Sequence, residues 1–354
     1  MTFALSPVTY RRVTGTALVL LIAIVVTGGA VRLTGSGLGC PEWPTCEGGS
    51  LVAPMRFHAW VEYGNRLFTG VVSLSVMAAV LGSLFRKPRR RDLVRWSLGL
   101  VAGLLAQILL GAVVVVTHLT PLAVTGHFLL SMLLVWNAAV LHEKSGIPDG
   151  GGERAQLVPP SPAGSAHTQP HSSPSASCSS SSTPPGPVPA VLQDLVTATL
   201  AWAPVVLVTG TLVTSAGPHS GDPGRVERLD LPLEVVARIH GLTVVVFLAL
   251  ALVVAVMSNR RTPAHVISRR SRTLLWIAVA QAAVGWTQYF TGVPALLVGV
   301  HLLGATLVWL ATVRLHLAAS THSRSLHPAA VRVSSTRRDM GGVISSSVGA
   351  KSTS

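Results

Sequence analysis

Eight apolar blocks, each of about 20 residues, constrain this chain more than anything else in it, because a helix of that length matches the ~30 Å hydrocarbon core of a bilayer. They lie at about residues 13–31, 64–85, 95–116, 123–141, 191–213, 235–257, 273–290 and 295–316. Mean hydropathy is +0.56 and only 11% of residues are charged. These features define an all-α integral membrane protein with eight transmembrane helices. The first block follows Arg11 and Arg12 as a secretory leader would, but it is long for one and no A-x-A-like cleavage site follows, so it is read as a span.

The net charge of +14 does not mark a nucleic-acid-binding protein, since the basic residues are not gathered on one soluble domain. They sit in alternate loops. With the N-terminus inside, 21 of the 27 lysines and arginines fall on the inner side. Arg32, Arg56, Arg66, Arg225, Arg228 and Arg238 fall opposite. The excess of positive charge on cytoplasmic loops then predicts a multi-pass protein of the cell membrane with both termini cytoplasmic.

Residues 144–190 are rich in Pro, Ser and Gly and poor in large apolar side chains, so they cannot bury enough surface to offset the entropy of ordering. The expected organisation is an N-terminal four-helix half, 1–143; a disordered cytoplasmic linker, 144–190; a C-terminal four-helix half, 191–316; and a disordered basic tail, 317–354, resting on anionic lipid. Cys178, His167 and His171 belong to the linker and are read as having no metal-binding role.

The halves repeat one another. Gln107, Gly111 and His127 recur as Gln281, Gly285 and His301, each 174 positions later, and Thr27-Gly28 recurs as Thr209-Gly210. Duplication of a four-helix unit gives parallel repeats, hence two four-helix bundles with pseudo-twofold symmetry about the membrane normal. Each half is expected to hold a pocket between its second and fourth helices, near the outer surface.

Ionisable residues inside a membrane are costly and mark function. His240 and His301 stand near the starts of the sixth and eighth spans, and two neutral imidazoles facing across a bundle are suited to hold a heme iron from both sides. The first half keeps His127 but has Asn65 where the repeat predicts its partner, with Glu62 one turn away on the same helical face. Arg66, four residues beyond Glu62, offers the plainer reading of that carboxylate as half of an interfacial ion pair. His58 reaches inward only if the second helix starts early.

The loop after the first span reads Arg32-Leu33-Thr34-Gly35-Ser36-Gly37-Leu38-Gly39-Cys40-Pro41-Glu42-Trp43-Pro44-Thr45-Cys46. Glycines allow tight turns, prolines stiffen the chain, and the two cysteines lie in an oxidising compartment. A disulfide here would close a short loop over the first pocket. With three cysteines in all, one local bridge is the most the chain can form, and zinc is disfavoured because no second cysteine pair exists.

The run VRLTGSGLGCPEWPTC, with EYGNRL after it and single histidines in spans four, six and eight, resembles the heme A synthase family. The resemblance implies a membrane oxidoreductase that converts the C8 methyl group of heme O to the formyl group of heme A for terminal oxidases. It implies resident heme b on His240 and His301, heme O received near Glu62, Asn65, His58 and His127, and His127 as a ligand to the substrate iron. Heme O synthase and an electron-transfer protein are the partners it implies, with homo-oligomers within its scope and no nucleic acid. Asn65 departs from the histidine many members carry, and a second outer cysteine pair is missing. The alternative is a cytochrome b-like electron carrier with a single bis-histidine heme. A transporter is disfavoured by the lack of intramembrane charges or matched broken helices.

Overall fold

The protein is described by a computed structural model covering residues 4–149, 188–222, 224, 227–261 and 265–325. Cys178, His167 and His171, nearly all of the linker and most of the tail lie outside the described residues. The helices are α1 (Pro7–Leu33), α2 (Phe57–Phe85), α3 (Arg91–Val116), α4 (Pro121–Ser145), α5 (Ala190–Ala216), α6 (Leu233–Arg261), α7 (His265–Phe290) and α8 (Ala295–Ser325). Among the described residues there is no strand, only the isolated bridges Leu5–Arg86 and Glu47–Ser50.

Among the described residues seven helices are long and apolar enough to cross a membrane, so this is a multi-pass membrane protein. The eighth, α7, has 26 residues but opens on Arg269, Arg270 and Arg272 and carries Gln281 and Gln288, which dilute its apolar character. Several helices outrun the apolar blocks. α2 starts at Phe57 rather than near 64, α7 at His265 rather than 273, and α8 continues to Ser325 rather than 316. An apolar block records the hydrocarbon thickness, whereas the backbone ladder continues until a cap or proline ends it. Ser6 does so at α1, its hydroxyl accepting from Thr9 N–H at 3.2 Å ahead of Pro7, and Pro121 occupies the first position of α4.

Each helix packs on the next within its set of four, and each set closes on itself through α1 against α4 and α5 against α8. The two sets meet through α4 on α8, α1 on α8 and α4 on α5. Helices diagonal to each other, α2 and α4 in one set and α6 and α8 in the other, do not touch among the described residues. Lipid gives helices no hydrophobic reason to associate, so close packing of small residues and buried hydrogen bonds must do so. Ala79, Ala138 and Ala139 are buried accordingly, while Leu74 and Trp276 are each 72% exposed toward lipid. Ser83 meets Ser97 at 3.0 Å between α2 and α3, and Ser258 meets Ser271 at 2.7 Å between α6 and α7.

Four loops gather at one end. Gly37 N–H donates to Gly221 O at 2.7 Å, Arg32 Nε donates to His219 O at 2.8 Å, and His219 Nε2 donates to Val293 O at 2.8 Å. Leu119 lies against Gly37 and Gly221. The α3–α4 and α7–α8 turns share a left-handed pair, His118 (φ 52°) with Leu119 (φ 63°) and Gly292 (φ 78°) with Val293 (φ 60°). That conformation is unusual for Leu and more so for β-branched Val. At the opposite end Glu143 of α4 accepts from Arg270 Nη2 of α7 at 2.8 Å and from Arg314 Nε of α8 at 2.7 Å. Buried Arg86 donates there to both carboxylate oxygens of Asp149, at 2.9 and 2.7 Å.

Candidate functional site

The even-numbered helices all start at the loop-rich end, and each carries its chemically distinctive residues about two turns in. α2 brings Glu62 and Asn65, α4 His127, α6 His240 and α8 His301. All the candidate histidines except His58 are therefore at a similar depth. Because the diagonal helices stand apart, His240 and His301 approach from opposite walls of one four-helix ring, and Asn65 and His127 from opposite walls of the other.

In the second ring, Thr209 Oγ1 lies 3.1 Å from His240 Nδ1 and also within 3.0 Å of Val205 O. With its hydrogen on the Val205 carbonyl, the hydroxyl accepts from Nδ1–H and leaves a lone pair on Nε2. Gly210 lies against the same ring, where a Cβ would come within 3.2 Å of Cε1. Across the ring, Gln281 Nε2 donates to His301 O at 2.7 Å, and a Cβ on Gly285 would come within 2.8 Å of His301 Cε1. His301 Nδ1 is buried without a hydrogen-bond partner, so His301 lacks the outer bond that His240 has. Two half-buried imidazoles on separated helices, each against a glycine and one with an outer hydroxyl partner at Nδ1, have the chemistry to hold an iron porphyrin. Among the described residues no group of three or more His, Cys, Asp or Glu side chains is placed to hold a bare metal ion.

The first ring repeats the contacts with different chemistry. Gln107 Nε2 donates to His127 O at 3.0 Å and to Ser131 Oγ at 2.6 Å. Gly111 faces His127, with 3.3 Å between a built Cβ and Cε1, and His127 Nδ1 is likewise buried and unpartnered. Opposite, Thr27 Oγ1 lies 2.9 Å from Asn65 Oδ1, so the amide occupies the place that His240 has beside Thr209. Nothing comes within 4 Å of a Cβ on Gly28, the counterpart of Gly210.

Glu62 and His58 are engaged by the loop rather than by the ring. Cys40 and Cys46 form the disulfide, with sulfurs 2.06 Å apart and Cα atoms 4.2 Å apart. Glu62, 6% exposed, accepts Cys40 N–H on Oε2 at 2.7 Å and Arg66 on Oε1, at 2.6 Å from Nη2 and 3.2 Å from Nε. The ion pair with Arg66 is thus present, with its carboxylate buried and its guanidinium partly exposed. His58 is exposed, its Nδ1 lying 2.9 Å from Ser36 Oγ. Arg66 also donates from Nη1 to Glu42 O at 3.0 Å and Thr45 O at 2.9 Å, and from Nη2 to Cys40 O at 2.8 Å. Sequence reasoning noticed Arg66 only as a neighbour of Glu62, because its carbonyl partners are 21 to 26 residues away and carbonyls leave no trace in a sequence. The Glu42 carboxylate accepts from Gly49 N–H, Thr45 Oγ1 and Gly48 N–H, and these bonds hold it below the usual carboxylate range.

The fold and these rings define a helical membrane protein with a histidine pair in one four-helix set and a histidine–amide pair under a disulfide loop in the other. The family described as COX15-CtaA, cytochrome oxidase assembly protein, matches residues 11–58 and 51–157. Over these first four helices the chain is similar to that family. The heme A synthase of Geobacillus kaustophilus is 37% identical over 113 residues, 31% of this chain and 35% of that protein. That of Geobacillus thermodenitrificans is 37% identical over 98 residues, 27% of this chain and 30% of the relative, and that of Exiguobacterium sibiricum is 31% identical over 114 residues, 32% and 38%. The chain spans about a third of the length of the curated relatives it matches, from 30% to 38% in these three.

Proposed function

We propose that this protein is a heme A synthase of the bacterial cell membrane, oxidising the C8 methyl group of heme O to a formyl group to give heme A for terminal oxidases. The observation that carries the reading is the disulfide loop braced by Glu62 and Arg66 on α2, the helix that also supplies Asn65 to the first ring. A carrier with one bis-histidine heme would need the second ring alone and nothing of this apparatus.

On this reading His240 and His301 would hold heme b, which would supply one-electron transfer. His127 on α4 would be the histidine that meets heme O, with the Asn65 amide in place of a second imidazole. Glu62, one turn from Asn65 on α2, would accept a proton or orient water when released from the loop. Heme O synthase supplies the substrate and an electron-transfer partner drains the electrons. The termini lie on the cytoplasmic side, and the loop-rich end faces outward. The two rings descend from one duplicated four-helix unit, which accounts for the matched Gln–His, Thr–His or Thr–Asn and Ser–Ser contacts.

Deletion of the gene tests the reading through the extracted pigments. Heme A should vanish while heme O persists; unchanged heme A would leave the single-heme carrier as the better account.

A further inference from the structure

Arg66 spends every N–H of its guanidinium. Nε and one Nη2 hydrogen go to Glu62 Oε1, the other Nη2 hydrogen to Cys40 O, and the two on Nη1 to Glu42 O and Thr45 O. Glu62 in turn takes Cys40 N–H on its second oxygen. The six-residue separation of Cys40 and Cys46 is therefore bridged twice, once covalently and once by a carboxylate–guanidinium clamp from a single turn of α2. A planar fork with five donors can make this pattern and an ammonium cannot. The disulfide is sealed beneath it, with Cys40 0% and Cys46 1% exposed.

We propose that Arg66 is a positioning residue that ties the Glu62 carboxylate to the Cys40–Cys46 loop, so that the thiol–disulfide state of the loop and the placement of Glu62 are coupled. With the loop closed, Glu62 Oε2 takes Cys40 N–H and Oε1 takes Arg66, which is itself held by the loop carbonyls. Opening the loop removes Cys40 N–H from one oxygen and the three carbonyls that orient Arg66, and frees the carboxylate to turn toward the ring that Asn65 lines. The coupling is reciprocal: whatever the clamp adds to loop closure, the disulfide adds to holding Glu62. That the freed carboxylate serves oxidation of heme O rests on the function proposed above; the coupling itself does not.

The test uses the full chain purified in detergent and needs no heme A formation, so its outcome is separate from that of the functional reading. A buried disulfide is attacked only when its loop opens, which makes its reduction rate a measure of opening. Dithiothreitol is the reductant: its two thiols lose two electrons and two protons as they close to a ring disulfide, and Cys40 and Cys46 gain them as thiols. Timed alkylation followed by mass spectrometry reads the reduced fraction. Arg66→Lys and Glu62→Gln should each speed reduction by at least about tenfold, the factor expected when a charge-assisted hydrogen bond is lost from the closed state. The double variant should be no faster than the faster single one, because both remove one clamp. Arg238→Ala breaks an exposed i, i+4 pair of the same chemistry on α6, with Glu234, and should leave the rate unchanged. In the reverse direction, Cys46→Ser should raise carbodiimide-driven amine labelling of Glu62 severalfold. Circular dichroism melts confirm that each variant keeps its helices. Wild-type reduction rates in both single variants, multiplying effects in the double variant, or unchanged Glu62 labelling in Cys46→Ser would overturn the proposal.

Discussion

Thr209 Oγ1 stands 3.1 Å from His240 Nδ1, and the same hydroxyl reaches Thr243 Oγ1 at 3.0 Å, so one threonine holds the ring against α5 and sets which nitrogen faces the interior. Removing such an outer partner typically costs ~10–100-fold in metal affinity. Thr209→Val should therefore weaken heme binding by about tenfold while keeping a low-spin spectrum, whereas His240→Ala or His301→Ala should abolish that spectrum. Heme titration of the purified protein followed at the Soret band measures both. An unchanged Soret band in both alanine variants would remove the ligand assignment.

The glycines opposite the imidazoles give a graded series. A methyl group on Gly285 would press on His301 Cε1 at 2.8 Å and Nδ1 at 3.3 Å, while one on Gly111 would meet His127 Cε1 at 3.3 Å and one on Gly28 would meet nothing within 4 Å. Gly285→Ala should displace the His301 ring and lose most of the low-spin heme. Gly111→Ala should leave the second ring's spectrum intact, and Gly28→Ala should match wild type in spectrum and in thermal midpoint.

The helices are legible in the sequence because hydropathy is a local signal, and intramembrane polarity singles out His240 and His301 in the same way. The disulfide is legible for the same reason: Cys40 and Cys46 are neighbours in the chain. What escapes is whatever depends on backbone atoms or on distant charges. Glu62 and Arg66 can be seen to share a helical face, yet their joint hold on the carbonyls of Cys40, Glu42 and Thr45 cannot. His58 reads as a residue that could turn inward, and Ser36 claims it for the loop. Helix ends were also hidden, since the apolar block of α2 says nothing of the turn from Phe57 that carries Glu62 into the loop.

Glu143 is a further contact without a sequence signal. Its carboxylate, 18% exposed, is shared by Arg270 and Arg314, so its loss leaves two cations facing each other where α4, α7 and α8 meet. Glu143→Gln should destabilise the bundle by about 1–3 kcal/mol, the range for lost hydrogen bonds to charged groups. A lowered thermal midpoint in detergent checks this, and Arg314→Met should recover part of the loss by removing one of the opposed charges.

The Glu42 carboxylate gives the loop a pH dependence. Its folded-state pKa is depressed below 4.5, chiefly by Gly49 N–H and then by Thr45 and Gly48. A depressed carboxylate contributes stability above its unfolded pKa and loses it as pH falls through the folded value. The amides of Gly48 and Gly49 should keep their protection from neutral pH down to the ordinary carboxylate range and lose it below. Glu42→Gln should show no such transition when hydrogen exchange is compared at each pH.

The central claim is tested most directly by expressing the chain in bacterial membranes that make heme O but lack a heme A synthase, and extracting the hemes. The account predicts that heme A appears with the wild-type chain, and that Glu62→Gln leaves heme O unconverted while the His240–His301 low-spin spectrum remains. Membranes in which the wild-type chain is present, folded and loaded with heme, yet contain heme O alone, would contradict it.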